Sequence, residues 1–145
     1  MKIGIISMQR VHNYGSFLQA YALKKYIEDL GHEVVFIDYK IGKPVINYSN
    51  KDRVKYRLKS SPIILKCYDL YKYYLCKDRH FNRIYRLHYL KDLGIQYQKN
   101  YNEKVDIAIV GSDEVFNCTQ PDFNIGFSHM LFGQDINAKS IISYA

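Results

Sequence analysis

The chain has no tryptophan, only three cysteines and three prolines, and no long apolar run. Each shortage excludes something. No stretch approaches the ~18–20 apolar residues of a membrane span, so no spanning helix is expected. Cys67, Cys76 and Cys118 are odd in number and far apart. They fit reduced thiols in a cytoplasmic protein, and neither a disulfide frame nor a zinc site. No His, Cys, Asp and Glu group has metal-ligand spacing, so no metal is expected. Met1 and Lys2 lead straight into an apolar run with no small-residue cleavage site, so no signal peptide is read. There are no repeats and no low-complexity tracts.

What is present is a globular composition. In 145 residues, 48% are hydrophobic and 24% charged, enough for one domain with a real core. Tyrosine is abundant, at fifteen, with seven phenylalanines. The net charge of +7 is uneven: residues 51–91 hold twelve Lys and Arg against three Asp, and the rest holds nine basic against eleven acidic.

The first 38 residues read as a βαβ unit. Residues 2–7 are an apolar run without alternation, which reads as a strand buried on both faces. Ala20, Leu23, Ile27 and Leu30 then repeat at helical spacing, and Gly31 stops the helix. Residues 34–37 form a second apolar run, ending at Asp38. Such a unit is a right-handed crossover, with the helix N-terminus at the carboxyl end of the first strand. Residues 105–110 read as the third strand, and residues 140–144 as the fourth. If all are parallel, their carboxyl ends share one edge. That edge carries Met8 to Ser16, Asp38 and Tyr39, Gly111 to Asn117, and Tyr144. The fold class is α/β, a Rossmann-like parallel sheet, and this edge is the expected pocket.

Between strands two and three lies the basic segment, a helical insertion over about 51–94. Ser61 reads as N-cap and Pro62 as first helical residue. Ile64, Cys67, Tyr71, Tyr74, Phe81, Tyr85 and His88 keep a 3-4 spacing, with Asp78 out of place, and Gly94 ends the region. Over 62–91 the charge has three readings. A solvated face over the sheet is the plainest. Peripheral contact with an anionic membrane is the second. Nucleic-acid binding is the third, and no nucleic-acid motif supports it.

Two clusters on the pocket edge carry chemistry. His12, Asn13, Tyr14, Gly15 and Ser16 occupy the first strand-to-helix turn. One glycine there does not make a pyrophosphate cradle of the usual kind, although helix-start N–H groups can hold an anion. The alternative is a plain turn with Ser16 as cap. Gly111, Ser112, Asp113 and Glu114 place a hydroxyl and two carboxylates just past a strand. They suit hydrogen bonding to the hydroxyls of a sugar-like ligand, or general base work by Asp113. The alternative is a helix cap by Ser112 or Asp113. His12 is the one histidine on the edge and the second acid–base candidate.

Two stretches together resemble the polysaccharide pyruvyl transferase family. The first runs from Lys2 through His12-Asn13-Tyr14-Gly15-Ser16 and Gln19, closed by Leu30-Gly31-His32 and Ile37-Asp38-Tyr39. The second is Asp106-Ile107-Ala108-Ile109-Val110-Gly111-Ser112-Asp113-Glu114-Val115-Phe116-Asn117. Glu114 stands where the family usually has Gln, and Phe116 where it usually has Trp. The resemblance implies two Rossmann-type domains facing a cleft in the GT-B layout. It implies transfer of pyruvyl from phosphoenolpyruvate, a donor substrate rather than a cofactor, to two hydroxyls of a sugar acceptor, free or lipid-linked. The product is a cyclic ketal on a cell-surface polysaccharide or its precursor. By resemblance Asn13, Tyr14, Gly15, Ser16, Gln19, Gly111, Ser112, Asp113 and Asn117 line the cleft on the acceptor side. The family runs on for about another domain of ~100–150 residues. The expectation is therefore an N-terminal half, inactive alone and prone to self-association. The rival readings are a non-catalytic Rossmann-like module that binds a sugar or anion, and a GT-B glycosyltransferase fragment.

Overall fold

The computed structural model describes residues 1–42, 45, 67, 84–112, 114–119 and 126–144. Of the long helix expected over 62–90 only Cys67 and residues 84–90 are among them; its Ser61 cap, most of the basic segment and Asp113 are not. No described helix is long and apolar enough to cross a membrane.

Four strands form one sheet: β1 (Lys2–Ile6), β2 (Glu33–Phe36), β3 (Val105–Gly111) and β4 (Ala138–Tyr144). Their order is β2-β1-β3-β4 and every pairing is parallel. The central strands are buried on both faces, as their unbroken apolar runs require. Ile3, Ile5 and Ile109 face α1 (Tyr14–Asp29) and pack with its Phe17, Ala20 and Ile27. Ile6, Ala108 and Val110 face the other way, against Met8, Ile37, Val115, Met130 and Leu131. The fourth strand starts at Ala138, earlier than the apolar pattern implies. Pairing with β3 carries it through polar Lys139, whose Nζ reaches Asp106 Oδ1 at 2.6 Å.

α1 also starts earlier than a Ser16 cap would place it. The cap is Asn13, whose backbone is extended and whose Oδ1 accepts the Gly15 N–H at 2.7 Å. Within the last part of the basic segment the chain is described again, in a π-helical turn (Tyr85–Tyr89) rather than the regular helix expected there, running into α2 (Leu90–Leu93). Gly94 ends it in the left-handed region at φ 73°, as the sequence anticipates. Tyr85 is buried, and its hydroxyl donates to the Gln9 carbonyl at 2.5 Å. Gln9 ties the end of β1 to the end of β2: its Oε1 accepts the Ser7 N–H and its Nε2 donates to the Ile37 carbonyl.

Candidate functional site

Strand order reverses between β1 and β3. A parallel sheet opens a crevice at that switch point, beyond the carboxyl ends of its strands. Ser7 follows β1 there, and Gly111 and Ser112 close β3. The two ends of the sheet differ in chemistry. At the amino end, charges pair with each other: Lys2 with Glu103, and Lys139 with Asp106. Those hydrogen bonds hold both carboxyls below their ordinary range. At the carboxyl end, three buried hydroxyls among the described residues have no partner: Ser7 Oγ, Ser112 Oγ and Tyr144 Oη.

Ser112 is the most constrained of them. Its φ of 146° lies where side chains are rarely tolerated, and such strain costs on the order of 1–3 kcal/mol. Its hydroxyl caps nothing, so the capping alternative does not hold for Ser112. Residues 114–116 form a turn rather than a helix. Within that turn Asn117 Nδ2 donates to Glu114 Oε2 at 3.1 Å, and Asn117 Oδ1 accepts from the Thr119 hydroxyl at 2.9 Å. Asn117 is thus largely committed to its own loop.

On the other side of the switch point, His12, Asn13, Tyr14 and Gly15 are exposed, while Ser16 and Gln19 are half-buried. The His12 ring lies 4.5 Å from the Tyr85 ring, and the Tyr14 ring meets Tyr89 edge-on at 5.8 Å. Asn13, Gly15 and Ser16 come together at the first turn of α1, and Gly111 and Ser112 at the end of β3. Gln19 sits further along the helix.

Sequence reasoning missed Ser7, which reads as the last residue of an apolar run, and the pairing of Arg10 with Asp38. Arg10 Nε donates to Asp38 Oδ1 at 2.5 Å and Nη2 to Oδ2 at 2.8 Å. Arg10 and Asp38 also line a cavity of about 530 Å³ on the β2 side, with Lys24, Gln98, Asn100 and Glu103. Arg10 and Asp38 belong to the expected pocket edge, but among the described residues none of the candidate catalytic or acceptor-binding residues lines it. Among the described residues no group of three His, Cys, Asp and Glu could hold a metal ion.

Burial pushes the phenols of Tyr39 and Tyr85 up to about 12. Nearby Asp38 adds to the effect at Tyr39, and Arg10 opposes it at Tyr85. The folded values lie above the ordinary 10.0, so the unfolded chain ionises first. Stability is therefore expected to be intact below pH 10 and to fall as pH rises toward 12. Tyrosinate absorbance should rise in two stages, exposed phenols first and the buried pair together with unfolding. A single smooth titration without loss of structure would contradict this.

A family model described as polysaccharide pyruvyl transferase matches residues 13–145. No curated protein and no solved structure matched the chain.

Proposed function

This chain belongs to the polysaccharide pyruvyl transferase family, and on that footing we propose that its carboxyl sheet edge holds the sugar acceptor for pyruvyl transfer from phosphoenolpyruvate. A first sugar hydroxyl adds to the enol carbon that bears the phosphate, while the methylene carbon takes up a proton. The bond to phosphate then breaks, and a second hydroxyl of the sugar closes the ketal on the same carbon. Asp113 positions the first hydroxyl and takes its proton, with His12 as the second group able to exchange one. In the GT-B layout a second Rossmann-type unit faces this edge and supplies the donor side. Acceptors are precursors of cell-surface polysaccharide, and contact of the basic segment with an anionic membrane would bring lipid-linked ones within reach.

The observation that carries the reading is Ser112. It is buried, its hydroxyl has no partner, and its backbone is held at φ 146° immediately before Asp113. A strained residue with an unused hydrogen-bonding group at a switch point is suited to meet a ligand. Calorimetric titration of the whole chain with nucleotide-linked and lipid-linked sugar analogues tests it. Binding is expected, weakened about tenfold or more by Ser112→Ala and by Asp113→Ala, as loss of one ligand hydrogen bond implies. Unchanged affinity in both variants would reject this edge as the acceptor site.

A further inference from the structure

The α1 face of the same edge has a second set of unused donors. Ile3 and Ile5 of β1 pack under α1, whereas Ile6 and, just past the strand, Met8 pack on the opposite side. Ser7 therefore continues the α1 face. It is 1% exposed, and its hydroxyl has no partner. Ile6 pairs with Val110, and Gly111 pairs with Tyr144. Gly111 and Tyr144 therefore pair across β3 and β4, and Ser7 is the residue that follows the Ile6–Val110 pair at the end of β1.

Gly111 is what lets its pair with Tyr144 pack closely. A Cβ there would fall 2.2 Å from Tyr144 Cδ1 and 2.4 Å from Cε1, because the Tyr144 ring lies directly on Gly111. That ring packs in the apolar cluster of Ile5 and Phe17, and its hydroxyl is also buried without a partner. Two buried hydroxyls without partners therefore lie at the carboxyl ends of β1 and β4, with the Tyr144 ring over Gly111. The sixteen-residue helix has no acidic residue in its first turn, so its positive end is uncompensated. Asn13 takes the Gly15 N–H, and Phe17 is the first residue to donate to a carbonyl in the helical pattern. The Ser16 N–H is left with no intrahelical acceptor.

We propose that Ser7, Tyr144 and the α1 N-terminus form a subsite for a phosphoryl group. Phosphoryl oxygens accept from several directions at once, which suits two hydroxyls and a helix-start N–H. Among the described residues the carboxylates of this edge are already engaged: Asp38 by Arg10, and Glu114 by Asn117. Access requires the Tyr144 ring to move off Gly111, and β4 is an exposed edge strand able to allow it. The inference rests on this edge being the substrate-facing one. It does not require pyruvyl transfer.

The test uses the whole chain and inorganic phosphate, against chloride at equal ionic strength. Phosphate is expected to raise Tm and to bind with measurable heat. Ser7→Ala should raise Tm in chloride, because it removes a buried hydroxyl with no partner. It should also weaken phosphate binding about tenfold. Tyr144→Phe should behave likewise. Phosphoenolpyruvate and uridine diphosphate form two further arms, and whichever exceeds inorganic phosphate names the donor or the acceptor's carrier as the source. No phosphate binding, or equal affinity in parent and both variants, would overturn the subsite. Sugar binding measured without phosphate tests the acceptor reading separately, so either reading can fail alone.

Discussion

Replacing Asp38 with alanine is expected to destabilise the chain by about 3 kcal/mol, the lower end for breaking a buried ion pair. Asp38 is 5% exposed and takes both arms of Arg10. Its Oδ2 also accepts the Asn100 N–H at 2.8 Å, and its own N–H donates to the Asn100 carbonyl. Arg10 Nη2 reaches the carbonyls of Gln96 and Gln98 as well, at 3.0 and 3.3 Å. One ion pair therefore fastens the loop after α2 to the ends of β1 and β2. Alanine would strand a half-buried guanidinium and free that loop. Asp38→Asn keeps the shape and loses the charge, and should fall between. Denaturant midpoints measure both. A loss below about 1 kcal/mol would mean that solvent screens the pair as it does surface pairs.

Tyr85→Ala should destabilise by about 3–5 kcal/mol, the range for deleting a buried aromatic side chain. Tyr85 is 1% exposed, packs at a tilt against His12 and edge-on against Tyr89, and bonds the Gln9 carbonyl. It is the rivet between the π-helical turn and the turn that follows β1. Tyr85→Phe separates packing from hydrogen bonding. It should cost only about 1–2 kcal/mol, by leaving the Gln9 carbonyl without that donor. Similar losses in both variants would assign the role to the hydroxyl instead.

The frame of this fold was readable because its strands are local apolar runs and its helix has a clear stripe. One βαβ unit implied that β1 and β2 are parallel, and the shared carboxyl edge was conditional on β3 and β4 running the same way, which they do. What was not readable depended on contacts between distant residues. An apolar stripe marks the middle of a helix, not its first turn, so Asn13 rather than Ser16 proved to be the cap. Arg10 and Asp38 each look like ordinary loop residues until the two strand ends are brought together. Ser112 reads in sequence either as a ligand-facing hydroxyl or as a cap, and only its buried, unpartnered hydroxyl shows that it is not a cap. Tyr144 was legible as a residue of the carboxyl edge, but its position over Gly111 is a matter of register. Asp113, the first choice as acid–base group, falls outside the described residues, so its part in the site rests on its place in the sequence after Ser112.

The most direct test of the account is to follow backbone amide resonances while a nucleotide-linked sugar is added to the whole chain. The account predicts shifts confined to the carboxyl edge: Asn13 to Ser16, Gly111 and Ser112, and Glu114 to Asn117. Shifts centred instead on the amino edge, at Lys2, Glu103 and Lys139, or on the cavity beside β2, would contradict it.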